Sequence, residues 1–240
     1  MTSSTSRRNP RAPTFGPLST VRTTVNGVDF GMVRVPSGRF VDGEGPTRRE
    51  LLVSRPFELG VAPVTQALWR AVMGWNASRS EGEDRPVEMV SWEDSQAFMA
   101  ELERQGFPGF RLPTEAEWAW AARCGAPTRW VGADRPRAVA ATVGVGQAVA
   151  VAGLPGSPVG AFDLSGNVRE WVGDWHEGLG LSLAGVDLQG PASGRARVHR
   201  GGSWTGFARF ARISFRDSNA PAVHGNSIGL RLSRTVQDQG

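Results

Sequence analysis

Helical periodicity in this chain stops at Gly125. It is confined to three short stretches, each opening on a side chain able to cap a helix. Thr65 precedes Leu68, Trp69, Val72 and Met73, which share one helical face, and Gly74 can end the turn. Ser91-Trp-Glu-Asp94 has capping-box spacing ahead of Ala97, Phe98, Glu101 and Leu102. Thr114-Glu-Ala-Glu117 repeats that spacing before Trp118, Ala121 and Ala122. Ahead of the helices, the alternation from Phe30 to Gly43 predicts a strand and hairpin. Leu51–Ser54 and Phe57–Gly60 predict another strand, and ordered structure is expected to begin near Val25–Met32. From Ala126 onward Gly and Pro recur and any strands are short. Strands, then helices, then a Gly-rich irregular half make an α+β fold, not a series of βαβ units.

Several chemistries are excluded early. No apolar run approaches the roughly 20 residues of a membrane span. The N-terminus has arginines but no apolar stretch behind them, so it does not read as a secretory signal, and a cytoplasmic location is the default. Display on a cell or phage surface is the alternative location. The net charge is +4, and residues 1–22 hold Arg7, Arg8, Arg11 and Arg22 without an acid. That arm carries the whole excess, so no basic groove for nucleic acid is indicated. All 27 basic residues are Arg and there is no Tyr, a bias expected of a GC-rich gene. His176, His199 and His224 lack metal-site spacing, and Gly144-Val-Gly146 lacks the third glycine of a dinucleotide loop, so no organic cofactor is expected. The single Cys124 closes an apolar helix and reads as a structural thiol. Glu115 and Glu117 have the residue type for acid–base work, but a helix first turn accounts for both.

Seven motifs then occur in order. They are Pro63-Val-Thr65, Pro86-Val-Glu-Met-Val-Ser-Trp92, Arg111-Leu-Pro-Thr-Glu-Ala-Glu-Trp118, Ala121-Ala-Arg123, Gly166-Asn-Val-Arg-Glu-Trp171, Arg200-Gly-Gly-Ser-Trp204 and Ile228-Gly-Leu-Arg231. Together they resemble the formylglycine-generating-enzyme, or sulfatase-modifying-factor, family. The resemblance implies a C-type lectin-like fold: small antiparallel sheets, flanking helices and much irregular loop. It implies a disordered arm over 1–24, one domain over 25–234 and a tail over 235–240.

The resemblance breaks where that family's chemistry would be. The positions matching its two catalytic cysteines are Gly206 and Ala211, neither of which can hold a metal or exchange thiols. No catalytic residue is therefore expected, and the chain is not expected to be an enzyme. A catalytic or regulatory family member without the two cysteines is the alternative. The family's structural calcium, carried over, would take the Asp163 and Glu170 side chains and the Gly166 and Val168 carbonyls. The competing reading is a turn in which those carboxylates make hydrogen bonds or ion pairs.

The segment 203–232 is similar to the variable region of proteins diversified by retroelements, which use this same scaffold. There an error-prone reverse transcriptase rewrites adenines, and the resulting codons exclude Lys, Glu, Gln, Met and Trp. None of those five types occurs between Thr205 and Ser227. The variable, ligand-binding set is expected to be Thr205, Gly206, Phe207, Phe210, Phe215, Asp217, Asn219, Val223, His224, Gly225 and Asn226. Arg209, Arg212 and Arg216 are expected to be scaffold, pairing with carbonyls or carboxylates. The implied function is non-enzymatic binding of a ligand, a protein, through a hypervariable patch. No oligomeric state follows from the reading.

Overall fold

The computed structural model describes residues 20–136, 144–176 and 184–236. The first strands are β1 (Thr20–Val25) and β2 (Val28–Val35), an antiparallel pair closed by Asn26 and Gly27. Both turn residues have positive φ, 48° and 81°. That is the two-residue turn whose twist matches paired strands. Strand pairing therefore starts at Thr20, and the domain takes in residues 20–24. The rest of the proposed arm, 1–19, and the tail residues 237–240 lie outside the described residues.

The expected hairpin after Phe30 does not form. β2 already has β1 on one edge and β5 (Phe57–Gly60) on the other, so it has no edge left to offer. Instead Pro36-Ser37 carries the chain into β3 (Gly38–Asp42), which pairs with β4 (Arg49–Val53) in a second sheet. The single strand expected across 51–60 is thus two strands, β4 and β5, in different sheets.

The three helices fall where the caps predict. They are α1 (Gln66–Met73), α2 (Trp92–Arg104) and α3 (Glu115–Arg123). Thr65 caps α1, and Ser91/Asp94 and Thr114/Glu117 form complete capping boxes. Helix α3 ends one residue earlier than its glycine suggests, on Cys124 at φ 36°. Burial pushes that thiol up to about 12, so it is not a nucleophile.

The remaining strands are short, as expected: β6 (Phe110–Arg111), β7 (Arg169–Trp175), β8 (Gly185–Val186), β9 (Arg197–Arg200), β10 (Arg216–Asn219), β11 (Ile228–Leu230) and β12 (Ser233–Thr235). They complete sheets of order β1-β2-β5-β12-β6, β10-β9-β7-β11 and β3-β4-β8. Two apolar clusters fill the interior. Trp118 and Trp120 of α3 pack with β3, β4 and β5 residues, while Trp69 of α1 stacks on Phe98 of α2 at 4.9 Å. A side chain at Gly38 would meet the Trp120 ring at 2.1 Å, so glycine there allows the helix to close on the sheet. Among the described residues no helix is long and apolar enough to cross a membrane.

Candidate ligand-binding surface

Between β9 and β10 the chain makes a long excursion over the sheet edge. It leaves β9 through Gly201 and Gly202, at φ 91° and 66°. A Cβ on Gly202 would lie 2.7 Å from the Ala211 backbone. Only glycine lets the chain double back and lay residues 208–211, a 3₁₀ turn, against it. Trp130 fixes that turn by donating its indole N–H to the Ala208 carbonyl at 2.7 Å. The Ile213 N–H then bonds the Arg129 carbonyl at 2.8 Å. β10 returns beside β9 with Arg216 opposite Arg200 and Asn219 opposite Arg197.

Burial divides the segment. Ser203, Ala211, Ile213 and Ser227 are in the interior, and none of the eleven residues of the predicted variable set is. The structure brings three of them together. The Phe210 ring lies 6.1 Å from Phe207 and 4.9 Å from Phe215. Phe207 is 67% exposed. Arg209, expected to pair with an oxygen, instead sets its guanidinium 4.9 Å and 4.7 Å from the Phe207 and Phe210 ring centres. Thr205 and Gly206 precede this cluster, tied to Ser203 through its hydroxyl at 2.9 Å and its carbonyl at 3.2 Å.

The other six residues face a different neighbour. Asp217 is exposed on β10, and the Asn219 amide meets the His199 ring at 3.0 Å. The loop beyond leans on the N-terminus of α2. The Pro221 carbonyl accepts the Trp92 N–H, and His224 lies 2.9 Å from Asp94. Val223 is exposed, and the Gly225 carbonyl accepts the Met89 N–H. The Asn226 carbonyl accepts the Trp204 indole N–H at 3.1 Å. Trp204 also bonds the Asn167 carbonyl through its backbone, so it tethers the second group to the root of the first.

Beneath this surface lies a buried charged floor, of which the sequence predicts only that Arg216 pairs with an oxygen. Arg200, with 1% of its surface exposed, donates to Glu115 at 2.6 Å, to Asp42 at 3.3 Å and to the Ile213 carbonyl at 2.5 Å. Arg216 forks onto the two Glu115 oxygens at 2.9 and 2.8 Å, and Arg49 reaches both acids. Burial alone would raise the Asp42 and Glu115 carboxyls. The Arg200 guanidinium, with Arg49 beside both acids and Arg216 beside Glu115, holds them below the ordinary range. Asp174 is in no ion pair of this kind among the described residues. Burial and the nearby Glu115 push it up to about 6, although it accepts the Glu115 and Gly190 N–H groups. Glu115 therefore does more than begin a helix, whereas Glu117 does complete its capping box and binds Arg111 at 2.6 Å. Arg212 behaves as expected of scaffold, bonding the Arg209 carbonyl and Glu44, each at 3.0 Å.

The side chains expected to hold calcium are bonded within the protein. Asp163 spends one oxygen on the Leu154 N–H and the other on the Ala152 N–H and the Asn167 amide. Glu170 takes Arg231 through both oxygens, at 2.9 and 2.6 Å, and the Trp118 indole N–H at 2.7 Å. Arg231 and Glu170 are fully buried. Each of the four carboxylate oxygens thus accepts at least one N–H, and a guanidinium supplies a positive charge beside Glu170. Gly166, at φ 129°, and Val168 remain the loop between the two acids. Among the described residues no three His, Cys, Asp or Glu side chains group as a metal site.

Comparison with known proteins places these observations in a wider set. The family profile of the sulfatase-modifying factor enzyme 1-like domain matches residues 20–236. The solved structure of Treponema denticola variable protein 1 superposes with a TM-score of 0.83 at 29% identity, over 90% of this chain and 99% of that one. The formylglycine-generating enzyme of Bos taurus is 28% identical over 71% of this chain, which spans 50% of that enzyme's length. The inactive C-alpha-formylglycine-generating enzyme 2 of Mus musculus is 32% identical over 72% of this chain and 57% of its own.

Proposed function

Since this chain belongs to the sulfatase-modifying factor enzyme 1-like domain family, we propose that it is a non-catalytic, ligand-binding member whose 203–232 surface is diversified by a retroelement. The observation that carries the reading is the division by burial. None of the eleven residues of the variable set is in the core, whereas Ser203, Ala211, Ile213 and Ser227 of the same segment are. Such a surface can change without unfolding its support, because exposed substitutions cost little. The likeness to Treponema denticola variable protein 1 over nearly its whole length supports the same reading. In this reading Phe207, Phe210 and Phe215 are the apolar anchors and the neighbouring polar groups adapt around them. The partner is a protein.

Support for a non-catalytic role comes from the residues at the two cysteine positions. Gly206 and Ala211 carry no nucleophile, and the thiol of Cys124 is buried elsewhere. Arg200, Ser203 and Arg231 could have lined a polar active site, but all three are buried and bonded within the protein. We further propose that the buried Arg231–Glu170 pair stands where the family places a cation, so a chelator leaves the melting temperature unchanged. A rise in that temperature on adding calcium would overturn this point.

The decisive experiment for the main reading is sequencing the DNA around the gene. A near-copy of its 3′ end, differing mainly at adenines, should lie beside a reverse-transcriptase gene. If neither is present, diversification is excluded and the alternative of a catalytic or regulatory member returns.

A further inference from the structure

Next to the aromatic cluster the surface opens into a groove of about 710 Å³. Arg39, Arg48, Arg123 and Arg129 line it, with Phe40 in its wall and Glu44 as the one acid among the lining residues. The groove and the variable segment are joined directly. Glu44 holds Arg212 at 3.0 Å and the Ser214 hydroxyl at 2.9 Å, and the Arg129 carbonyl holds the Ile213 N–H. Glu44 is therefore already neutralised by the segment itself. Arg39 and Arg129 are exposed, and neither is in an ion pair among the described residues. Arg123 sits lower, 4.0 Å from Asp42, and its buried Nε has no partner. Arg209 adds a further exposed guanidinium over the phenylalanine rings.

Resting on the function proposed above, we propose that the bound partner is an acidic polypeptide segment. Its carboxylates lie along Arg39 and Arg129, and a large apolar side chain seats on Phe207, Phe210 and Phe215. Charge complementarity is the argument. Arg39 and Arg129 are exposed and in no ion pair among the described residues, the one acid lining the groove is already satisfied, and an apolar anchor lies at one end. A guanidinium takes a carboxylate through two parallel hydrogen bonds. A nucleic acid fits less well, because the excess charge is local and the arginines do not extend into a track. The groove lies outside 203–232, so rewriting leaves it unchanged. It would set the class of partner while the variable rim selects among members of that class.

A random peptide library displayed on phage, selected against the whole chain, tests this. Phenylalanine-dependent binders are those lost on the Phe207→Ser variant. They are expected to be net negative and to carry at least one large apolar residue. Their affinity should fall about tenfold or more on Arg39→Glu/Arg129→Glu, with an affinity that declines as salt rises. Both altered arginines are exposed, and an unchanged melting temperature verifies that the variants fold. Binders that need Phe207 but are neutral or basic overturn the acidic class and leave the binding surface standing. So does a fluorescent single-stranded oligonucleotide that binds more tightly than the peptides through the same arginines. A failure to select any Phe207-dependent binder overturns both the acidic class and the surface reading.

Discussion

One strand separates the two kinds of chemistry in this protein. In β10, Arg216 reaches inward to fork onto Glu115, and its neighbour Asp217 is exposed and bonds only its own next N–H. The same contrast holds on a larger scale. The floor around Arg200 is buried, charged and bonded at nearly every oxygen, so its geometry is fixed by many partners. The rim of Phe207, Phe210 and Phe215 is held by ring contacts among its own members. A floor of this kind makes the rim replaceable. The backbone of the segment is pinned from below, through the Ile213 carbonyl and the Trp130 and Trp204 indoles, without any bond to a rim side chain.

The contrast is broken most severely at the floor. Arg200→Ala leaves Glu115 and Asp42 with too little positive charge in the interior. Removing one partner of a buried pair typically costs about 3–5 kcal/mol. Denaturant unfolding should show that loss, and a change below about 1 kcal/mol would mean the network is not integral to the fold.

Acid titration sharpens the comparison next. Asp42 and Glu115 are held low, so their contribution is complete above the ordinary carboxylate range and is lost as pH falls through their folded values. Two other buried groups act at higher pH, with opposite signs. Burial lowers His199 from 6.5 to about 4, so the unfolded chain takes up the proton first and stability falls as pH drops across that interval. Asp174 is raised from 3.8 to about 6, so the folded chain takes up the proton first and stability rises as pH drops from about 6 to about 4. The two nearly offset in the natural protein. In His199→Gln the raised carboxyls of Asp174, Glu88 and Asp163 are no longer opposed by that histidine, and stability should increase as pH drops from about 6 to about 5, an increase that adding Asp174→Asn should largely remove. An increase that Asp174→Asn leaves unchanged would show that Asp174 titrates normally.

How much of this was readable before folding follows from sequence distance. The helices and their caps are local, and Thr65, Ser91/Asp94 and Thr114/Glu117 announce them within four residues. The proposed variable segment rests on the restricted residue set of Thr205–Ser227, which is a property of composition. The floor is legible in neither way, since Glu115 meets Arg200 and Arg216 across separations of 85 and 101 residues. A capping explanation sufficed for Glu115, and nothing nearby contradicted it. The misplaced hairpin has the same origin: the alternation from Phe30 is real, but which strands pair depends on β5, far along the chain. The guanidinium that pairs with Glu170, that of Arg231, is likewise remote, 61 residues further along the chain.

Trp204 stands between the two regions, half-buried, and its replacement should have an intermediate effect. Trp204→Phe removes the bond to the Asn226 carbonyl and keeps most of the ring. The loss should be about 1 kcal/mol, or roughly 2–4 °C in melting temperature. Amide exchange should quicken over 220–226 and not over 208–213, where Trp130 supplies the anchor. Equal quickening in both would mean that the rim is a single unit.

The rim itself should respond least. Phe207→Ser removes a ring that is 67% exposed and touches Phe210 and Arg209. Water already covers most of that ring, so little apolar surface is newly exposed, and no buried polar group loses a partner. Exposed substitutions of this kind usually lie within about 0.5 kcal/mol of neutral. The same substitution should abolish binding to any partner selected through this surface, since a central aromatic anchor commonly carries much of an interface. Measured together, unchanged unfolding and lost binding separate a recognition surface from a packing element. A stability loss beyond about 2 kcal/mol would place Phe207 with the floor, and the division of the segment by burial would no longer support the proposed exchange of its outer residues.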